Sequence, residues 1–502
     1  MTDVMARHRT FSDTLLMPLS RHSFVIILSL AVVVPAAAQT PVTSGPAAPA
    51  WAWLAQDTFR VESWGFFEPP PGGGDPDYTF SGNRLLLQGR YTAPRFDVRL
   101  AAQHVILMAL PETASGPGPF GTGALYYDQA GRERNPQQLY LRYASLRLKN
   151  VVSGLSFELG RQGYNSGAEA ASEAPIEAVK RQRLDARLVG EFEWSLYQRS
   201  FDGVRADYAR NTLRVTGTAF MPTQGGFAQE AGRTMTDLVV AGATVDLLPS
   251  PARPHTQLQG FVWRYDDDRA VTGRPDNSGQ SATRADVGVT TVGGSVVGVY
   301  PARGGRVDVL GWVAAQTGSW YGDSHAALAF AGEAGYQWTG VRSSPWLRGG
   351  LLYTSGDDDG SDSTHGTFFP MLPTMRRFSQ TTVYSTMNLQ DLFAQVIVRP
   401  TSSVSARLDV HQLWLSSAAD RWYAGSGATL STGTGFGYAG RPSNGSTDFG
   451  TSIEGSASWT ITPAWSVNGF AGFINGGPVV TGTFQDDALH FVYVETAFRL
   501  GR

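Results

Sequence analysis

Arginine is the residue type in this chain that most invites a chemical reading. Lys149 and Lys180 are its two lysines, so nearly all of the 40 basic residues carry guanidinium. A planar guanidinium stays ionised and pairs with carboxylates through a fixed fork of donors. Arginines spaced along a water-filled passage therefore suit a polyanion, holding successive carboxylates weakly and handing them on. Arg84, Arg90, Arg95, Arg99, Arg205, Arg214, Arg306, Arg348 and Arg407 all fall on the polar side of alternating segments. Asp97, Glu158, Asp207, Asp308, Glu333, Asp409, Glu454 and Glu495 share that side, so lateral salt bridges that stiffen a wall are the competing role for each arginine. A second basic group, Lys180, Arg181, Arg183, Arg187 and Arg199, lies in the long segment 163–200, which reads as a loop folded inward or capping a mouth.

Other chemistries find little support. Asp357, Asp358, Asp359 and Asp362 offer hard oxygen ligands, but no closing Glu or flanking helices make an EF-hand, and a solvated acidic loop is the expectation. The eight histidines, His365 and His411 among them, show no HExxH and no ligand-spaced pair, so neither metal nor cofactor is expected. No G-x-S-x-G elbow nominates a nucleophile, and Gly425–Gly437 lacks the strand–helix setting of a phosphate loop. Forty basic against 43 acidic residues leave no net field for nucleic acid, and the absence of Cys excludes disulfides and thiolate metal sites.

The elements that must position the arginines are strands. Leu85, Leu87, Gly89 and Tyr91 alternate with Arg84, Leu86, Gln88 and Arg90, and Ile453 to Ile461 alternate with Glu454, Ser456, Ser458 and Thr460. Strands are expected near 58–67, 81–91, 94–106, 137–149, 152–162, 201–208, 211–221, 236–247, 256–265, 286–299, 305–317, 328–339, 345–355, 389–399, 403–415, 446–461, 464–475 and 488–500, eighteen in all. Their connections run long, short, long, short to the end, with bare turns such as Pro400–Ser402 opposite loops such as 356–388 and 416–445. An even strand number with tight turns at one rim and long loops at the other predicts an all-β fold: a transmembrane antiparallel barrel with short periplasmic turns and long extracellular loops. Lipid supplies no partner for a sheet edge, so the barrel must close. Trp312, Trp320, Trp338, Trp346, Trp459 and Trp465 near strand ends suggest interfacial girdles. The last strand, Leu489 to Leu500, is the amphipathic signal that outer-membrane assembly machinery reads.

Before the barrel, Arg7, Arg9 and Arg21 precede an apolar run from Phe24 to Val34, followed by Ala36-Ala37-Ala38. That is a secretory signal peptide over 1–38, with a flexible leader over 39–56 and the barrel over 57–502.

Three segments resemble the alginate export family: SFELGRQGYNSG (Ser156–Gly167), EFEWSLYQRSFDGVRADY (Glu191–Tyr208) and the loop TSGDDDGSDSTHGTFFPMLPT. The resemblance implies an eighteen-stranded barrel in the outer membrane of a Gram-negative bacterium, with an arginine-rich pore. Its ligand would be an anionic saccharide or polysaccharide, its surroundings lipid, and its partner a periplasmic scaffold protein. It points to Arg161 and Arg199 as the favoured site residues. Uptake of small solutes is the alternative transport reading; a barrel enzyme or an adhesin acting through loops 356–388 and 416–445 is the alternative from another class.

Overall fold

Period-two alternation folds here into antiparallel strands with one face toward lipid and one toward a lumen. The computed structural model describes residues 49–114, 122–375, 378–381 and 383–501. The expected signal peptide, the start of the leader and the basic pair Arg376 and Arg377 lie outside them. Among the described residues the barrel strands are β1 (Ala50–Gly65), β2 (Asp77–Thr92), β3 (Phe96–Met108), β4 (Gln137–Val152), β5 (Leu155–Gln162), β6 (Phe201–Arg210), β7 (Leu213–Pro222), β8 (Leu238–Leu247) and β9 (Thr256–Asp267). They continue as β10 (Val287–Ala302), β11 (Gly305–Trp320), β12 (Asp323–Trp338), β13 (Trp346–Thr354), β14 (Leu389–Val398), β15 (Val404–Leu415), β16 (Asp448–Thr462), β17 (Trp465–Gly476) and β18 (Ala488–Gly501).

Each strand pairs with its sequence neighbour, and β1 pairs with β18 from Leu54↔Gly501 to Gly65↔His490, which closes an eighteen-stranded barrel. Closure leaves no backbone edge facing hydrocarbon. Leu87, Leu100, Leu139, Val204, Leu347 and Val494 are exposed on the outside, whereas Gln103, Glu333, Arg348, Gln395 and Glu454 are buried within. Among the described residues no helix is long and apolar enough to cross a membrane.

Three expectations change. The first strand begins at Ala50, and residues assigned to the leader pair with β2 from Ala50↔Thr92 onward. The gap expected at 318–327 is a two-residue hairpin, Tyr321-Gly322, with φ of 50° and 90°. Both residues take the positive φ that a primed turn demands, and Gly322 does so without a Cβ. The polar residues on either side looked like a loop because their inward side chains meet other protein rather than lipid. Trp338 and Trp459 do face outward, but Trp312, Trp320 and Trp346 are buried inside, so they form no girdle.

What fills the inside is loop. Segments 163–200 and 355–375 enter the barrel and meet each other, with a bridge between Val189 and Leu372. Leu188, Phe368, Phe369, Met371, Phe436 and Tyr438 make a dry core there. Helix α1 (Thr122–Gln129) lies in another long loop. Helix α2 (Ala174–Arg183) starts with Pro175 in its first turn, buries Ile176 and Val179, and packs against β10.

Candidate functional site

Strand register sets the inward residues of one wall at a common height. Asp308, Gly335, Arg348, Gln395, Asp409 and Glu454 pair in succession across β11 to β16. Against this belt sits the end of α2. Glu333 Oε1 accepts from Arg183 Nε at 3.1 Å and lies 3.7 Å from Arg187 Nη2, while Glu333 Oε2 accepts from Arg348 Nη2 at 3.0 Å. Arg348 Nε also donates to Asp308 at 3.1 Å, and Arg183 Nη2 lies 3.6 Å from Asp391. The Arg183 guanidinium lies 3.8 Å over the Phe393 ring; that of Arg187 lies 4.4 Å over Phe378 and 4.8 Å over Trp312. Burial opposes charging of Arg183, but Glu333 and Asp391 outweigh it and hold its pKa above the usual value. For Arg187 burial wins and the pKa falls to about 9. Three arginines anchored on one carboxylate, all buried, form a plug.

The opposite wall differs. Along β2 to β6, Arg84, Arg90, Arg99, Arg147, Lys149 and Arg205 face inward and keep contact with solvent, and so do Glu158 and Asp207. Arg90 and Arg99 stand directly across from each other on β2 and β3. Arg90 pairs with Asp97 at 3.1 Å, Lys149 with the same carboxylate at 2.8 Å, and Arg205 with Asp207 at 2.8 Å. Arg99 instead donates to Gln88 at 2.8 Å and lies 3.6 Å over the Tyr143 ring. Arg84 has no carboxylate partner among the described residues, and its Nη1 is buried without a hydrogen bond. This wall holds more positive charge than its own carboxylates neutralise.

The other expected residues separate. Arg95 is exposed in the β2–β3 turn, and Arg214 donates to the carbonyls of Asn211 and Leu213 at the periplasmic rim. Arg306 is exposed and lines a recess of about 250 Å³ beneath α2. Arg407 pairs with Asp409. Arg161 is not in the lumen: it shares the face of lipid-facing Leu159 and forms a two-pronged pair with Asp202 at 2.7 and 2.6 Å. Arg199 is buried and touches no carboxylate among the described residues. Its donors reach the carbonyls of Gly190, Leu372, Ser426 and Ala428, tying three loops together. Burial lowers its pKa to about 10. Arg348, expected toward water, is covered by the plug.

The acidic loop binds itself. Asp359 accepts from the backbone N–H and hydroxyl of Ser361, Asp362 accepts from the Thr364 N–H, and these carboxylates do not converge on a cation site among the described residues. Near the extracellular mouth a cavity of about 490 Å³ lies between loops, lined by Phe192, Trp194, Phe227, Arg274, Arg421 and Phe436.

Residues 178–487 match the alginate export family. The chain belongs to the alginate export family. Among solved structures, its fold is similar to that of OpdK from Pseudomonas aeruginosa, at 10% identity and a TM-score of 0.54, covering 90% of this chain and 99% of that one. It is also similar to OccK2 (OpdF) of the same organism in complex with glucuronate, at 8% identity and a TM-score of 0.54 over 90% and 97% of the two chains. OccAB3 of Acinetobacter baumannii follows at 11% identity and a TM-score of 0.53 over 90% and 99%. No curated protein sequence matches the chain. This alginate export family member is an outer-membrane barrel channel rather than an enzyme.

Two lumen arginines of the family barrel escape a reading by residue type. Arg60 donates to Glu495 from Nε and Nη2 at 2.8 and 2.7 Å and lies 4.9 Å over Trp194. Its alternation with Phe59 and Val61 was visible in the sequence. Arg142 pairs with Glu191 at 2.6 Å. A bulge opposite Ala101 and Ala102 turns both Arg142 and Tyr143 inward, which strict alternation does not allow.

Proposed function

We propose that this barrel is a passive channel for anionic saccharides of the uronate type, and that they travel along the β2–β6 wall. The observation that carries the reading is the asymmetry of the lumen. One wall buries its arginines on carboxylates under α2, while the other keeps Arg84, Arg90 and Arg99 near solvent, with Asp97 the one acid paired to them among the described residues. Unneutralised guanidinium beside water lowers the barrier for a carboxylate and raises it for a cation. OpdF, similar in fold, was crystallised with glucuronate, whose carboxylate is the chemistry these arginines accept. Arg161 and Arg199 take no part in this path. The loop-filled lumen suits a thin extended chain or a single small solute. Export signals at 1–38, assembly through β18 and a periplasmic scaffold complete the proposal.

Blockade of single-channel current tests it. Uronate oligomers added to one side are expected to interrupt conductance at lower concentration than neutral oligosaccharides of equal length. Equal blocking by both would overturn the substrate assignment. Blocking by monomeric glucuronate but not by oligomers would favour uptake of small solutes.

A further inference from the structure

Asp409 and His411 stand two residues apart on β15, so both side chains enter the lumen, and Glu454 on β16 lies opposite Asp409 in register. Each offers a ligand atom, all within 4.8 Å of one another, and none of the three residues is more than 1% exposed. Hydrogen bonding leaves specific atoms over. His411 Nδ1 is 2.9 Å from Asp391 Oδ1, so Nε2 is the ring nitrogen that remains. Arg407 occupies Asp409 Oδ2, so Oδ1 remains. Both remaining atoms are buried with no hydrogen-bond partner among the described residues. Gln395, paired with Asp409 in register on β14, is buried with neither amide atom bonded.

We propose that Asp409, His411 and Glu454 bind a divalent transition-metal ion in the barrel wall, with the Gln395 amide oxygen available as a fourth ligand. An aspartate holding the far nitrogen of a histidine fixes its tautomer and raises its basicity, the usual outer support of a metal-bound imidazole. One imidazole with two carboxylates selects Zn²⁺ or Mn²⁺ over Ca²⁺ or Mg²⁺, whose sites are built from oxygen alone. Glu454 also accepts hydrogen bonds from Ser379, Gln380 and Thr381, so a bound ion would tie segment 378–381 to the wall. This site lies on the buried wall and is independent of the proposed saccharide path.

The test uses the full barrel purified in detergent, stripped with chelator and then given ZnCl₂ or MnCl₂. Crystals of the unaltered protein soaked in either salt are expected to show one anomalous peak between Asp409, His411 and Glu454. Binding is expected to weaken at least about tenfold in His411→Ala, and about tenfold in Asp391→Asn, which weakens the outer support of His411 together with the Arg183 contact. No peak at that position would overturn the proposal, and so would binding unchanged by His411→Ala. Should that variant not fold, the anomalous map of the unaltered protein decides alone.

Discussion

Arg199, expected to line the pore, is a buried tie between loops. Its donors reach carbonyls of three loops, so its charge is spent on holding the lumen's contents in place. Arg199→Ala leaves four buried carbonyls without their charged donor. It is expected to lower stability by more than about 2 kcal/mol in denaturant unfolding, and Arg199→Lys to recover little, because an ammonium cannot span the same fork. Asp357 supports a second prediction. Burial, together with Asp420, Asp362 and Asp358, pushes its carboxyl up to about 6, and burial raises Asp420 as well. A carboxyl whose folded value lies above its unfolded value stabilises the fold fully below the unfolded value, about 3.9. That contribution disappears as pH rises through the folded value. Hydrogen-exchange protection of segment 355–375 is therefore expected to fall as pH rises from about 4 to about 7, and Asp357→Asn to flatten the change.

Helix α2 and the wall beneath it depend on Glu333. Glu333→Gln keeps the shape but leaves Arg183, Arg187 and Arg348 around a neutral amide. The expected cost is about 3–5 kcal/mol, read from denaturant midpoints. The Tyr321-Gly322 hairpin is the other sensitive element: Gly322→Val forces a β-branched residue to a φ of 90° and should cost about 1–3 kcal/mol. The strands were legible because lipid and lumen impose period two on each of them, and Leu347, Arg348 and Leu351 could be assigned to faces from spacing alone. The interior was not. Whether segment 163–200 caps the mouth or enters the barrel depends on contacts with Leu372 and Phe378, far away in sequence. Arg161 misled because family likeness marks position and not the face of the strand. Arg142 was hidden by a bulge that spacing does not announce.

At the scale of the molecule, the barrel divides into a wall packed with loops and the β2–β6 wall, where loop 163–200 covers Gln103 and Arg142 but Arg90, Arg99 and Arg147 keep contact with solvent and positive charge is in excess. Ion selectivity integrates that division over the whole passage. The most direct measurement is the reversal potential of single barrels in a planar bilayer under a salt gradient, for the unaltered chain and for Arg84→Gln, Arg90→Gln and Arg99→Gln combined. The unaltered channel is expected to prefer anions, and the triple variant to lose that preference with its conductance retained. A cation-selective channel, or a triple variant with unchanged selectivity, would contradict the account.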